Sequence, residues 1–396
     1  MRVAIDARVE NGRAGGVQQG LIAIATALCA VDATLRPERT FVTMTGLDGW
    51  LRDAGGSDAA FLDLPVGGSR RIARRLRGHP AGRRAVAAAV DIRNRRARPR
   101  ASSGTFESTG ADVVLFATQR AELCRTPFVY LPHDLQHRHL PEFFRPAERH
   151  RREIEYRAYC EAAAVVVVFT DWAALDLAEA YAVDPARIVV IPPWAPSVRP
   201  EPSAETPRLT VRPFALFPGQ AWPHKNHRTL FEALAMLRSD GIDIPLVCPG
   251  ATGDATQRLR RHADALGVGD LVTFPGFVDA ATMDSLWSGA RCLVFPSLFE
   301  GWGYPVVEAM DRDVPVACSI GVILDAVSGD AALRFAPRDA ESMAGSLRTL
   351  WSDEIVRDLC VERGRAHIAQ FSWLTMGDRY LRAFEQAIGA DSTVLR

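Results

Sequence analysis

The sequence predicts an α/β protein built from two parallel-sheet domains, and three observations support this prediction. Short apolar runs alternate with longer helix-like runs along most of the chain, the pattern of parallel strands joined by helices. The length of 396 residues corresponds to roughly two domains of ordinary size. Between the two alternating halves, residues 193–212 are rich in Pro, Ser and Glu and lack periodicity, so 196–212 are predicted to be the linker.

The individual elements follow from these runs. Strands are predicted at residues 3–6, 40–45, 112–116, 128–131, 164–169 and 188–192 in the first half, and at 214–218, 245–249, 271–274, 292–296 and 314–318 in the second. Helices predicted between them include 17–29, 148–163, 226–237, 256–266 and 340–350. Each half therefore contains the material for one sheet with helical crossovers.

The composition is that of an ordinary globular protein and excludes several classes. Apolar residues make up 48% of the chain, and 47 basic side chains balance 47 acidic ones, so no global field directs the protein to nucleic acid. The seven cysteines show neither disulfide nor zinc spacing and are interpreted as reduced core thiols. The start enters a strand without a signal peptide, and no apolar run approaches the roughly 18 residues that span a bilayer. We therefore expect a cytoplasmic protein and assign no metal.

One segment departs from this balance of charge. Twelve arginines and a single acid, Asp91, lie between Arg70 and Arg100, with apolar side chains at helical spacing among them. The Ser-, Gly- and Thr-rich residues 99–110 that follow are expected to be mobile. Three interpretations of the whole insertion, at about 68–110, stay open. It is a solvated connection between two elements, a basic amphipathic surface that docks on anionic lipid, or a nucleic-acid surface.

A strand-to-helix turn in the second half is typical of a phosphate site. The apolar run 291–296 passes through Gly301 and Gly303 into a predicted helix, whose first N–H groups would face an anion. Glu300 in the turn and Glu308 on the helix are carboxylates, which accept hydrogen bonds from hydroxyls strongly. The ligand is therefore expected to carry sugar hydroxyls as well as phosphate, as a nucleotide-diphosphate sugar does.

Other strand ends carry further candidates. Gly219 and Lys225 follow the strand 214–218, and a lysine at a helix start indicates a nearby anion, unless it is simply exposed in a turn. Gly15 and Gly16 precede the first predicted helix without a dinucleotide fingerprint, and they allow close approach of a ligand or form a plain turn. His133 follows the strand 128–131, where open α/β sheets place ligands, or has a structural role only.

Taken together, these motifs resemble the retaining glycosyltransferases of family 4, which have the GT-B fold. The segment 299–310 resembles the E-x7-E signature of that family, with Glu300 and Glu308 as its two acids. The runs 222–227 and 274–278 are similar to its phosphate-contacting segment and its nucleobase loop, and 133–137 with 141–144 to its strand end in the N-terminal domain. The run 371–373 and the helix after it are similar to the segment that crosses back to the first domain.

The resemblance implies an architecture and a reaction. Two Rossmann-like domains would face a central cleft: an acceptor-side domain at 1–195, a nucleotide-sugar-binding domain at 213–374, and a C-terminal helix at 375–396 packed back on the first domain. A mannosyltransferase-like enzyme would move a hexose to a saccharide or lipid-linked acceptor, with retention and without metal or cofactor. Synthesis of bacterial surface polysaccharide or glycolipid, in the cytoplasm or at the inner face of its membrane, is the expected setting.

The resemblance also assigns roles to residues. Lys225, with the N–H groups of Gly303 and Tyr304, would stabilise the leaving diphosphate. Glu308 would accept from ribose hydroxyls. Glu300 would hold the donor sugar and His133 would contact it from the opposite domain, which makes these two and Lys225 the expected catalytic residues. The other expected donor-binding residues are Gly15, Gly16, Gly219, Gln220, Gly276, Phe277, Val278, Gly301 and Pro305.

One departure and two alternatives accompany this interpretation. Gln220 stands where many relatives carry an arginine five residues before the lysine, so the diphosphate would lose one charge-assisted partner. A non-catalytic nucleotide-sugar-binding protein is one alternative, against which the intact Glu300, Glu308 and Lys225 argue. A nucleotide-sugar epimerase of the same GT-B architecture is the other, against which the E-x7-E match argues.

Overall fold

A computed structural model of the chain describes residues 1–9, 16–46, 49–65, 80–194 and 213–394. It divides into two compact units: unit 1 comprises Met1–Trp194 and Ser372–Arg396, and unit 2 comprises Ala195–Phe371. Three predicted features lie outside the described residues, namely Gly15, the arginines from Arg70 to Arg77 and the linker at 196–212.

The sheet of unit 1 is entirely parallel. Its strands are β1 (Arg2–Asp6), β2 (Glu38–Met44), β3 (Ala60–Leu64), β4 (Val113–Phe116), β5 (Phe128–Tyr130), β6 (Val165–Val168) and β7 (Ile188–Val190). They lie in the order β3-β2-β1-β4-β5-β6-β7. All four residues of β6 are buried valines, because a parallel sheet is covered by helices on both faces and its central strands are apolar throughout.

The sheet of unit 2 is also parallel. Its strands are β8 (Phe214–Leu216), β9 (Leu246–Pro249), β10 (Val272–Gly276), β11 (Ala290–Phe295), β12 (Val316–Ser319) and β13 (Ala332–Phe335). They lie in the order β10-β9-β8-β11-β12-β13. The predicted α/β class with two parallel sheets is therefore confirmed.

Helices connect these strands. In chain order they are α1 (Gly16–Ala30), α2 (Gly49–Gly55), α3 (Pro80–Arg95), α4 (Gln136–His139), α5 (Pro146–Ala162), α6 (Asp171–Tyr181), α7 (His227–Ser239), α8 (Asp254–Ala265), α9 (Ala280–Gly289), α10 (Tyr304–Asp311), α11 (Val322–Ser328), α12 (Ala340–Ser352), α13 (Glu354–Ile368) and α14 (Trp373–Val394). The terminal helix α14 belongs to unit 1 and packs on α1. A Cβ at Gly377 would lie 2.5 Å from the Ala27 carbonyl oxygen, so glycine lets the two helices meet closely.

Two strands were absent from the sequence prediction, and one expectation was wrong. The missed strands β3 and β13 are partly buried edge strands, and in each a charged residue, Asp63 or Arg334, interrupts the apolar run. The segment 99–110 was expected to be mobile, but it is anchored. Phe106 is fully buried in the core of unit 1, and the Ser102 N–H group donates to the Leu123 carbonyl oxygen at 3.0 Å.

Candidate active site

The strand order of unit 2 reverses between β8 and β11. From β8 the chain builds outward through β9 and β10, and it then returns to place β11 on the other side of β8. The carboxyl ends of β8 and β11 flank this reversal, which is where open α/β sheets bind ligands. The predicted residues here are Gly219, Gln220 and Lys225 after β8, and Glu300, Gly301 and Gly303 after β11. The fold thus brings two motifs that are distant in sequence to one end of the sheet.

Lys225 and Glu300 form an ion pair at this position. Lys225 ends a short 3₁₀ turn, and Asn226, in the left-handed region with φ 59°, leads into α7. The Lys225 Nζ atom lies 2.7 Å from Glu300 Oε1 and 4.8 Å from the centre of the Phe295 ring. The two side chains are only 11% and 13% exposed, so this interaction is screened less by water than a surface ion pair is.

One backbone and one side-chain hydrogen bond hold the loops around the ion pair in place. The Leu298 N–H group, in the loop after β11, donates to the His224 carbonyl oxygen at 2.8 Å. The Asn226 side-chain amide donates to the Pro337 carbonyl oxygen in the loop after β13. The loops that carry Lys225 and Glu300 are therefore joined by a backbone hydrogen bond as well as by the ion pair.

Three glycines lie where the loops after β8, β9 and β10 meet. The Gly219 N–H group donates to the Pro249 carbonyl oxygen, and the Gly250 N–H group donates to the Gly276 carbonyl oxygen, each at 2.9 Å. A Cβ at Gly250 would lie 2.1 Å from the Gly219 carbonyl oxygen, so no side chain fits there. Gly276 has φ 91°, which favours glycine. Gly219 and Gly276 were predicted from the sequence, whereas Gly250 was not, although its position directly after β9 was an available signal.

An exposed aromatic ring follows the third of these glycines. Phe277 is 64% exposed, whereas its neighbour Val278 is partly buried. The planar face of a phenylalanine ring offers a stacking surface for a base. Gln220 is partly buried, and its carbonyl oxygen accepts from the Trp222 N–H group at 2.7 Å, which shapes the turn before Lys225.

The turn after β11 ends in the first residues of α10. Gly303 precedes the helix with φ 104°, and a Cβ there would lie 2.9 Å from Leu324 Cδ2, so both backbone and packing require glycine. Tyr304 is the first helical residue, and Pro305, which has no N–H group, occupies a position where a helix tolerates proline. The positive end of the helix dipole therefore lies next to Gly301 and Glu300.

Glu308 lies one turn further along α10 and is partly buried. Burial raises the pKa of its carboxyl group from 4.5 to about 7, while the nearby Arg312 opposes this change. A carboxylate that the fold disfavours in its charged form is a candidate functional group, because hydroxyl donors from a ligand would stabilise the charge.

His133 occupies the corresponding end of the sheet in unit 1. It follows β5 and has φ 71°, a conformation that costs a non-glycine residue about 1–2 kcal/mol and that is enriched at functional sites. Its Nε2 atom lies 3.0 Å from the Ala117 carbonyl oxygen, which can only accept, so Nε2 carries the proton and Nδ1 is left as an acceptor. Burial lowers the pKa of His133, which favours this neutral form.

A buried charged cluster that the sequence analysis missed lies at the reversal point of the unit 1 sheet, after β1 and β4. Arg8 donates to Asp6 Oδ1 at 2.7 Å and to Glu122 Oε1 at 2.8 Å, and both carboxylates are less than 10% exposed. Burial disfavours the charged guanidinium, but its bonds to Asp6 and Glu122 outweigh that effect and raise the pKa of Arg8. Because 114 positions separate Arg8 from Glu122, only the fold reveals this contact.

The remaining unit 1 candidates are placed as follows. Gly16 is the first residue of α1 and is exposed. His137, which follows His133 in the same motif, is buried; its pKa is lowered to about 3, first by burial and then by the charge of Arg152. Its Nε2 atom lies 3.4 Å from the Tyr181 hydroxyl oxygen and 3.4 Å from Glu153 Oε2, and its ring packs edge-on against Tyr156.

Two negative findings apply to the part of the chain that the structure describes. Within those residues, no group of three or more His, Cys, Asp or Glu side chains could hold a metal ion. Within the same residues, no helix combines the length and the apolar character needed to cross a membrane.

Solved structures with this fold are glycosyltransferases of the GT-B class. HepE of Anabaena, in complex with UDP and glucose, superimposes with a TM-score of 0.70 at 17% identity, covering 97% of this chain and 99% of that chain. WaaG, a glycosyltransferase involved in lipopolysaccharide biosynthesis, gives a TM-score of 0.66 at 18% identity, covering 96% of this chain and 99% of that one. At these identities the similarity establishes the GT-B fold.

Two protein-family models match consecutive parts of the chain. Residues 65–199 match "Glycosyltransferase Family 4", and residues 199–367 match "Glycosyl transferases group 1". The chain belongs to the family 4 glycosyltransferases, as its motifs predicted.

Curated relatives are similar over part of their length. O-antigen chain mannosyltransferase B of Escherichia coli is 31% identical over 182 residues, 45% of this chain and 47% of that protein. D-inositol 3-phosphate glycosyltransferase of Corynebacterium urealyticum is 30% identical over 249 residues, 57% of this chain and 59% of that protein. The chain therefore spans between 47% and 59% of the length of these relatives.

Proposed function

We propose that this protein transfers a hexose from a nucleotide-diphosphate sugar to a saccharide or lipid-linked acceptor, with retention of the anomeric configuration. The observation that carries the proposal is the Lys225–Glu300 pair at the ends of β8 and β11, beside the first turn of α10. A cation and a helix start lie where a diphosphate needs positive charge, and carboxylates lie close by for hydroxyl groups. The family and the names of the relatives support the same reaction.

The proposed step transfers the sugar on one face. The bond between the anomeric carbon and the leaving phosphate oxygen breaks, while the acceptor hydroxyl oxygen forms a bond to the same face of that carbon. The acceptor proton passes to the leaving phosphate oxygen. Lys225 and the N–H groups that begin α10 offset the negative charge that develops on the diphosphate. Because these groups supply positive charge themselves, we propose that the reaction requires neither metal nor cofactor.

The other residues take complementary roles in this proposal. Glu308 accepts hydrogen bonds from the ribose hydroxyls, and Glu300 accepts hydrogen bonds from hydroxyls of the donor sugar. His133, of unit 1, accepts a hydrogen bond from a sugar hydroxyl at Nδ1, because its other ring nitrogen, Nε2, is bonded to the Ala117 carbonyl oxygen. The remaining donor-binding residues are Gly15, Gly16, Gly219, Gln220, Gly276, Phe277, Val278, Gly301, Gly303, Tyr304 and Pro305.

The arginine-rich segment has a proposed role in locating the acceptor. Five of its arginines on and after α3 are exposed: Arg93, Arg95, Arg96, Arg98 and Arg100. Its only acid, Asp91, is paired with Arg145 of α5 at 2.8 Å and so does not offset their charge. We propose that this surface attracts anionic lipid, so that a cytoplasmic enzyme works at the inner face of the membrane on a lipid-linked acceptor. Surface polysaccharide or glycolipid synthesis in a bacterium is the proposed pathway class, and the O-antigen relative supports a mannose-type sugar.

The experiment supplies UDP-glucose, UDP-galactose, UDP-N-acetylglucosamine and GDP-mannose in turn, with a bacterial lipid extract as a pool of acceptors. Mass spectrometry follows the release of nucleoside diphosphate and the appearance of a glycosylated lipid. We expect one donor to be consumed by the wild type and not by Lys225→Met. Binding of a nucleotide sugar without its consumption would instead favour a non-catalytic binding protein, and release of a free epimerised sugar nucleotide would favour an epimerase.

A further inference from the structure

The two groups with separate proposed roles are bonded to each other in this structure. Lys225 is assigned to the diphosphate and Glu300 to the sugar hydroxyls, yet Nζ and Oε1 lie 2.7 Å apart. Both side chains are nearly enclosed, at 11% and 13% exposure. In such a pair, removing the partner of one charge leaves that charge poorly solvated, which costs more than the loss of a surface ion pair.

The surroundings of Lys225 limit how the pair can open. Its stem passes Gly219, where a Cβ would be 3.7 Å from Lys225 Cε, and its Nζ lies over the Phe295 ring. The loop of Glu300 is fixed to the turn of Lys225 by the bond from Leu298 to His224. A phosphate that approaches Lys225 therefore competes with Glu300 for the same ammonium group at close range.

Two ligands would meet this competition differently. A nucleoside diphosphate draws Lys225 toward its phosphates and offers no hydrogen-bond donor to Glu300, so the Glu300 carboxylate loses its ion-pair partner in an enclosed site. A nucleotide sugar brings hydroxyl donors that bond to Glu300 as Lys225 turns to the phosphates, so both charges remain satisfied.

We propose that the Lys225–Glu300 pair determines specificity for the intact donor over its own product. The pair opposes binding of the nucleoside diphosphate, and it re-forms when the sugar has left, which promotes release of that product. This inference rests on the proposed function, and it adds that Glu300 weakens nucleoside diphosphate binding through Lys225.

The test is a double-mutant cycle measured by titration calorimetry with UDP, GDP and inorganic pyrophosphate. Glu300→Gln should tighten the binding of the nucleoside diphosphate that the wild type prefers by about threefold or more, in the range of coupling between contacting residues. In the Lys225→Met background the same substitution should have little effect. Glu300→Ala, a second neutral variant, should reproduce the tightening, and thermal unfolding should verify that each variant is folded.

The outcomes distinguish failure of the proposed function from failure of the inference about the Lys225–Glu300 pair. A wild type that binds neither UDP nor GDP would contradict the proposed function, and with it this inference. A wild type that binds, with affinity unchanged or weakened in Glu300→Gln, would overturn the inference alone. Tightening that persists in full in the Lys225→Met background would also overturn it, because Glu300 would then repel phosphate directly and not through Lys225.

Discussion

Lys225 has three properties that fit its proposed role as the group that stabilises the diphosphate. It lies at the end of a strand next to the reversal of the sheet, it is held by Phe295 and Glu300, and it is close to the start of α10. In the proposed reaction the ammonium group lies close to the leaving group and has only to exchange Glu300 for the diphosphate, and a charge placed in advance in this way is a major source of electrostatic catalysis.

Removal of this charge should slow the reaction without unfolding unit 2. We expect Lys225→Met, which keeps most of the apolar stem, to lower kcat by about 10²-fold or more, as loss of one preorganised stabiliser does. Arg228→Ala is the matched control, because this exposed arginine lies three positions after Lys225, in the first turn of α7. Steady-state kinetics measure both variants. Activity within about threefold of the wild type for Lys225→Met would contradict the assignment.

Glu308 should make stability depend on pH. Its folded pKa is raised from 4.5 to about 7, so between these values the folded state binds more protons than the unfolded state. The free energy of unfolding therefore falls as pH rises through this window, and the loss is complete above pH 7. Glu308→Gln removes this loss, so its melting temperature should rise relative to the wild type between pH 5 and pH 8.

The control for this experiment is Glu362→Gln, which changes an exposed carboxylate on α13. Its melting temperature should follow the wild type at every pH. A difference between Glu308→Gln and the wild type that stays constant from pH 5 to pH 8 would contradict the raised pKa. If Glu308→Gln stabilises the fold but weakens nucleotide binding, the wild-type protein gives up stability at Glu308 in order to bind its ligand.

At the scale of elements, the loops after β8, β9 and β10 form one connected structure through Gly219, Gly250 and Gly276. Each loop is positioned by a parallel strand, and their close approach depends on the absence of side chains. The position of Lys225 thus depends on a contact made by a loop from a different strand.

Gly250→Ala should disturb this arrangement by steric conflict alone. The new Cβ would meet the Gly219 carbonyl oxygen at 2.1 Å, so the loop of Gly219 has to shift, at a cost of about 1–3 kcal/mol for overpacking. We expect a lower melting temperature and a loss of activity, measured by thermal unfolding and kinetics. Gly253→Ala, in the same loop, is the matched control, because its Cβ would meet nothing within 4 Å. Equal behaviour of the two variants would show that the contact is unimportant.

The sequence predicted the strands whose apolar runs are not interrupted by charge and missed two edge strands, β3 and β13, in which a charged residue interrupts the run. Central strands such as β6 are apolar throughout, whereas the edge strands β3 and β13 carry mixed residues and left no clear pattern. Motifs with local signatures, such as the turns of Lys225 and Glu300, could be found without a structure. Their ion pair could not, because it joins residues 75 positions apart, and the Arg8–Glu122 contact escaped for the same reason.

At the scale of the whole molecule, the balanced net charge conceals one strongly basic surface. The exposed arginines from Arg93 to Arg100 have no acid within their own segment to neutralise them, since Asp91 is engaged by Arg145. Exposed charges of this kind act over a distance set by salt, so in the proposed role they would draw the protein to an anionic membrane or acceptor.

Co-sedimentation with vesicles tests this surface. We expect binding to vesicles that contain anionic lipid at low salt, weaker binding at moderate salt and none to neutral vesicles, since each basic side chain contributes roughly 1 kcal/mol near an anionic bilayer. Replacement of Arg93, Arg95, Arg96, Arg98 and Arg100 by glutamine should reduce the binding. Replacement of Arg258 and Arg261, exposed arginines of α8, should leave it unchanged. If the wild type does not bind anionic vesicles at low salt, the proposed membrane role is contradicted and the segment is a solvated insertion.

The central claim is that Lys225 and the start of α10, and not a metal, support transfer of a sugar with retention. NMR spectroscopy of the reaction in the presence of EDTA, with the donor that the wild type consumes, tests it most directly. We predict a product with the anomeric configuration of the donor, formed at the rate seen without chelator. A product of inverted configuration, or a reaction that EDTA abolishes and Mn²⁺ or Mg²⁺ restores, would contradict the account.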